Sequence, residues 1–459
     1  MSVEHSPDHG IAYHFVCYDT SGQERRGDQG LASDQITAAA AGEHPSDIFV
    51  FSHGWNADPE AAIAQYGRWV DTMAARTGDR ERLRARAGGF RPLLVGVHWP
   101  SRAWADEDLA SMSYAVDDSA PDTAAQRAGG PVVTDPVERL VADYAYRFGG
   151  GPSAREAIRV IVGSALRDAA PPTLPDAVRD AYQHLNSILG LEHAGEGAAP
   201  GDDREPFDAE GTYQAALLMD VTDPLSYGEF SLGGVLAPLR VLSFWTMKRR
   251  ACAFGETGAA ELLGRLQDSS PDCRFHVMGH SFGCIVASAA IAGAPGTPGP
   301  RRGVDSLVLA QGAMSLWSFC TDIPARPGRA GYFHRVVRER LVKGPTLVTT
   351  STRDRAVRVF YPLGAGVSGN VEFGDVNLPV YGGVGTFGVR GPGIQIQDET
   401  LSRVDESYHL HPGVVYNLKA DTVIATSAGI SGAHSDICHP EVARAVWRAV
   451  EEQPESVTP

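Results

Sequence analysis

No two of the six cysteines (Cys17, Cys252, Cys273, Cys284, Cys320, Cys438) form a C-x-x-C pair. That removes the usual zinc-ribbon and thiol-redox patterns, and free thiols in a reducing compartment are expected. Basic charge is in the minority, with 40 Lys and Arg against 56 Asp and Glu and a formal net charge of −16. This argues against a nucleic-acid partner and against attraction to an anionic membrane surface. No apolar run reaches the ~20 residues of a membrane-spanning helix, so no stable membrane insertion is expected. The polar stretch Met1–His9 has no apolar core of a secretion signal, and a cytoplasmic location is the expectation. Also missing are H-E-x-x-H, a P-loop and any spaced Cys/His set, so neither a metal nor a cofactor is expected. Gly383-Val384-Gly385-Thr386-Phe387-Gly388 does satisfy G-x-G-x-x-G, with Asp405 downstream. However, Gly391-Pro392-Gly393 interrupts the helix that a dinucleotide site needs, so the segment reads as a turn cluster or active-site rim.

What is present is the composition of a globular protein, with 43% apolar and 21% charged residues over 459 positions. Short apolar runs at 12–18, 47–51, 92–98, 273–278, 306–310 and 345–350 read as strands, with a last one near 422–425. Helical spacing between them, as at 59–76, 242–266, 332–341 and 441–450, predicts an α/β fold with a mostly parallel sheet. From about 102 to 236 the rhythm breaks. Helical patterns at 137–148, 154–168 and 177–189 occur there without a buried strand, as in a helical insertion lying over the sheet. The predicted organisation is a core of residues 1–101 and 237–459, a helical cap at 102–236, and a glycine-rich insertion at 364–412 with short antiparallel pieces. The run Arg80, Arg82, Arg84, Arg86 reads as a solvated helix end. Ile158, Ile161, Val162, Ala165 and Leu166 form an apolar face for core packing or cleft lining.

The chemistry concentrates in Gly279-His280-Ser281-Phe282-Gly283, set between an apolar strand and an apolar helix start. Glycines on both sides let strand and helix approach while the serine sits exposed on a tight turn, the arrangement of a nucleophile elbow. A serine hydroxyl needs a base, and the base needs an orienting acid. In chain order these follow the serine, each after a later strand. Asp354, directly after the strand at 345–350, is the acid candidate, with Asp322 as its rival. His434, between the last strand and the last helix, is the base candidate, with His409, His411 and His439 as rivals. Asp436 reads as a local cap. Backbone N–H groups of Phe282 and Trp55 are the candidate oxyanion donors. His53, Gly54, Asn56 and His280 are expected to line the site. His53 and His98 follow neighbouring strands and read as polar cleft lining, not a metal pair.

Ser52-His53-Gly54-Trp55-Asn56, Trp99-Pro100-Ser101 and Gly279-His280-Ser281-Phe282-Gly283 together resemble a bacterial group of esterase- and lipase-like serine hydrolases in the α/β-hydrolase superfamily. The resemblance covers about residues 11–101 and 240–452. The helical insertion and the glycine-rich segment match nothing in it. The insertion also precedes the nucleophile, whereas in many members the cap follows the strand after it. The resemblance implies cleavage of an acyl bond, most simply a carboxylic ester, in a small-molecule or lipid-like substrate through an acyl-enzyme. Thioester and amide substrates stay open on these residues, as do oligomeric state and pathway. The competing reading is a catalytically idle scaffold of the same fold serving as an interaction module.

Overall fold

The computed structural model describes residues 2–27, 30–102, 135–149, 151–193, 195, 199–222, 234–297, 302–361, 370–373, 376–404, 408–426 and 431–452. The strands are β1 (Ser2–His5), β2 (Ala12–Cys17), β3 (Asp47–Ser52), β4 (Pro92–His98), β5 (Arg274–His280), β6 (Ser306–Ala310), β7 (Thr346–Thr350), β8 (Asn370–Phe373), β9 (Val376–Pro379), β10 (Ile396–Thr400) and β11 (Val415–Lys419). Nine of them form one sheet in the order β1-β2-β4-β3-β5-β6-β7-β11-β10, and β8 and β9 form a separate antiparallel hairpin. Every pairing in the large sheet is parallel except β1 with β2.

Helices cover both faces, as a parallel sheet requires. They are α1 (Ala32–Glu43), α2 (Pro59–Ala74), α3 (Thr77–Ala85), α4 (Pro136–Phe148), α5 (Pro152–Arg167), α6 (Asp176–Ile188), α7 (Ala209–Thr222), α8 (Ala237–Phe254), α9 (Ala260–Ser269), α10 (Gly283–Ala292), α11 (His334–Arg338), α12 (Val384–Phe387) and α13 (Pro440–Glu451). Strand periodicity sorts the core. Phe49, Phe51, Met278 and Leu347 pack with α2 and α13 on one face. Ile48, Phe275, Val277 and Val348 pack with α8 and α10 on the other. Among the described residues no helix is long and apolar enough to cross a membrane, and all six cysteines are free.

The described part of 102–236 consists of helices and connections without a strand, and residues 103–134 and 223–233 of that segment lie outside the described residues. Ile158, Ile161 and Val162 are buried in the core, whereas Leu166 faces solvent. Among the described residues the last strand is at 415–419, not at 422–425. Beyond Ala420, whose N–H continues the ladder to Thr350 O, the chain turns away, and Ile424 is buried outside the sheet with its carbonyl accepting from Ser351 Oγ. The glycine-rich segment does supply an antiparallel hairpin, but it also contributes β10, a polar edge strand parallel to β11. The arginine run is more than a solvated end. Arg86 pairs with Asp47 at the start of β3, and Arg82 pairs with Asp79 and with Glu451 of α13.

Candidate active site

The turn carrying Ser281, the candidate nucleophile, joins β5 to α10. A Cβ on Gly279 would lie 2.2 Å from Gly283 O, and one on Gly283 would lie 2.1 Å from Ser52 O. Only glycine permits these approaches. Ser281 itself takes φ = 56°, a left-handed conformation that costs a non-glycine residue about 1 kcal/mol or more. The end of β6 holds it there. Ser281 N–H donates to Ala310 O at 3.0 Å, and its carbonyl accepts from Ala313 N–H at 3.2 Å.

His434 approaches from the loop between β11 and α13. Its Nε2 is 2.7 Å from Ser281 Oγ and its Nδ1 is 2.8 Å from Asp354 Oδ2. With a carboxylate at Nδ1, that nitrogen carries the proton, and Nε2 is left to accept from the serine hydroxyl. Asp354 is fully buried in the turn after β7. Its Oδ1 accepts from Val357 N–H at 2.9 Å, and Oδ2 also accepts from Gln311 Nε2 at 3.1 Å. The acid and base loops are joined directly, through Ala433 N–H to Arg353 O at 3.1 Å and the pairing of Asp354 with Gly432.

The rival residues lie elsewhere. Asp322 accepts from Gly328 N–H in an exposed loop. His439 stands at the N-terminus of α13 with Nε2 on Asp436, and Asp436 also accepts from the Ala425 and Thr426 N–H groups.

The loop between β3 and α2 passes over the serine. A Cβ on Gly54 would fall 2.6 Å from Ser281 Cβ, so the main chain at 54 lies directly against the nucleophile. The Trp55 and Phe282 N–H groups find no acceptor among the described residues, leaving both free for an oxyanion. Their side chains pack together at 6.1 Å between centroids and against Phe244 of α8 at 5.7 and 4.8 Å. Asn56, exposed and at φ = 63°, donates its N–H to Ser101 O. Ser101 Oγ bridges Ala57 N–H and O at 2.9 and 3.0 Å, so the Trp99-Pro100-Ser101 segment braces the loop.

Two residues expected to line the site sit behind it. His53 is wholly buried, stacked on Trp99 at 5.6 Å and 3°. Its Nδ1–H donates to Gly54 O at 2.8 Å, and Nε2 accepts from Trp99 N–H at 3.3 Å. Burial, and then neighbouring His98, push its pKa well below the usual histidine value. Its ring thus ties the loop between β3 and α2 to the Trp99 segment from beneath. His280 likewise points into the protein, bonded to the His434 main chain. The His53 and His98 rings are 5.0 Å apart, and among the described residues no group of three or more His, Cys, Asp or Glu is placed to hold a metal ion.

Sequence reasoning passed over Gln311, which stands directly after β6 at φ = 47° and secures the acid. Its place just past a strand end, on the edge that also carries Ser281 and Asp354, is the signal that points to it. The G-x-G-x-x-G segment forms the one-turn α12, with Gly385 N–H on Gly312 O and Gly385 O accepting from Ser351 N–H, behind the acid loop. A groove of about 900 Å³ lies at the opposite end of the sheet, lined by Arg86, Arg91, Arg274 and Lys343 among others, away from this constellation. No protein-family model, curated protein or solved structure matches the chain.

Proposed function

We propose that the chain is a serine hydrolase of α/β-hydrolase type that cleaves an acyl bond, most simply a carboxylic ester, through an acyl-enzyme. One observation carries the reading: a serine held at φ = 56° on a strand-to-helix turn is in line with His434 and Asp354 at 2.7 and 2.8 Å. The order of these residues, after β5, β7 and β11, is the order of that superfamily.

In this mechanism His434 Nε2 takes the Ser281 proton as Oγ bonds to the substrate carbonyl carbon. Asp354 keeps Nδ1–H in place and stabilises the imidazolium. The oxyanion accepts from the Trp55 and Phe282 N–H groups. The intermediate then collapses, the ester C–O bond breaks, and the departing alkoxide takes the proton from His434. Water, deprotonated by the same nitrogen, releases the acid and restores Ser281. Phe244 of α8, a core helix ahead of β5, packs beside both oxyanion donors, and the helical segment at 102–236 is the cap of this reading. Trp55, half-buried against the Phe244 and Phe282 rings, favours an apolar acyl group.

The test is a fluorescent fluorophosphonate applied to wild type and Ser281→Ala. Labelling of wild type alone is expected. Equal labelling of both names a different nucleophile, and labelling of neither in folded protein favours the idle scaffold.

A further inference from the structure

A second histidine lies against the base and takes no part in the triad. His280, 7% exposed, places its ring centroid 5.0 Å from that of His434. Its Nε2 is 2.9 Å from the His434 carbonyl oxygen. A carbonyl only accepts, so Nε2 carries the proton and Nδ1 of the neutral ring is an acceptor. Facing Nδ1 at 2.8 Å is the side-chain amide nitrogen of Gln65, a donor. Gln65 belongs to α2, the helix into which the oxyanion loop runs, and α2 is itself fixed to the sheet by Tyr66 OH, which donates to Val97 O and accepts from His53 N–H.

We propose that Gln65 and His280 are positioning residues, forming a hydrogen-bond relay from the helix behind the oxyanion loop, past the nucleophile, to the main chain of the base. The proposal rests on the hydrolase reading of this site. The relay joins three segments that must keep register during attack, and it grips the base loop at position 434, just beyond the Ala433 N–H bond to Arg353 O.

The relay's chemistry also suits its place. His434 gains a proton in the reaction, and a second cation 5.0 Å away would oppose this on the order of a hundredfold at an effective dielectric constant of about 20. A neutral amide at Nδ1, where a carboxylate would draw a second proton onto His280, leaves His280 uncharged. Burial, and then His434, push its pKa down to about 4, so the donor to His434 O persists across neutral pH.

The test compares His280→Phe, which keeps bulk and loses the donor, with His280→Gln, which keeps a donor at similar reach. The Ser281→Ala labelling control decides the hydrolase reading separately. His280→Phe is expected to lower kcat about tenfold with KM unchanged, the loss of one hydrogen bond. His280→Gln is expected to return to within about threefold of wild type at a melting temperature close to that of the Phe variant. If wild type takes no label, histidine-selective nitrogen NMR still reads the relay. His280 should then be a neutral Nε2–H tautomer from about pH 5 to 8, and His434 signals should shift in His280→Phe and be restored in His280→Gln. Wild-type kcat in His280→Phe, a Gln variant as slow as the Phe variant, or an Nδ1–H tautomer at His280 would overturn the proposal.

Discussion

Gly54→Ala isolates the oxyanion loop from every other part of the site. The glycine has no left-handed φ to lose, so alanine brings only a methyl group. That methyl would lie 2.6 Å from Ser281 Cβ, 3.1 Å from Ser281 Oγ and 3.2 Å from His280 O, about 1 Å inside an ordinary carbon–carbon contact. Neither neighbour yields easily. Ser281 is pinned to Ala310 and Ala313, and the loop is pinned by Tyr66 OH at His53 and by Ser101 at Asn56. Relief therefore moves the nucleophile or the Trp55 N–H by roughly 1 Å, a misplacement that costs on the order of a hundredfold in rate. Overpacking costs about 1–3 kcal/mol in stability. The assay is the second-order rate of fluorophosphonate labelling, run beside a thermal melt. Gly42→Ala is the control, since its methyl meets nothing within 4 Å; it should leave the rate unchanged and stabilise α1 by up to about 1 kcal/mol. A folded Gly54→Ala protein that labels at the wild-type rate would refute the placement of this loop over the serine.

Gln311→Met removes the amide that donates to Asp354 Oδ2 while keeping the length of the side chain. Loss of a hydrogen bond to a charged group is worth about 1.5–3 kcal/mol, so kcat should fall roughly ten- to a hundredfold; an unchanged kcat in ester hydrolysis would remove Gln311 from the machinery. Acidification should destabilise the fold through its buried histidines. Burial, and secondarily Arg25 for His98 and His434 for His280, push both pKa values down to about 4, against about 6.5 in the unfolded chain. The unfolded state therefore binds protons first. Stability is full above about pH 6.5 and falls as the pH drops toward 4, by about 2 kcal/mol per histidine between pH 8 and 5. Urea midpoints at these two pH values check the sum, and equal midpoints would contradict the buried neutral rings.

Ser281 and Asp354 were legible because each stands just past a short apolar run, and strand ends on one edge of a parallel sheet are neighbours in space. His434 was reached as a histidine of the loop before the last helix, although the strand ahead of that loop is β11 at 415–419 and not 422–425. What depends on approach from elsewhere was not legible. Gln65 lies in a helix 215 residues before its partner in sequence, and nothing local distinguishes it from a solvated glutamine. His53 was readable as a residue after a strand, but which way its ring turns is decided by the Trp99 stack. The last strand was missed because Asn417 interrupts its apolar pattern. That buried amide bonds Val389 N–H and O as well as Asp398, holding the glycine-rich segment to the sheet. Val423-Ile424-Ala425, which looks more strand-like, spends its apolar surface in a turn.

The handling of buried carboxylates separates structure from chemistry within this one chain. Asp47 is matched by Arg86, Arg274 and His276, Asp79 by Arg76, Arg82 and Arg444, and Asp203 by Lys248. Each pairing offsets the cost of burying a charge with a cation at hand. Asp354, equally buried, has no Lys or Arg nitrogen within 4 Å among the described residues. It accepts instead from Val357 N–H, the Gln311 amide and His434 Nδ1–H. Neutral dipoles hold the carboxylate in place without cancelling its charge. In the proposed mechanism its field is then available to the one group that becomes positive, the His434 ring, and Gln311→Arg would remove that availability.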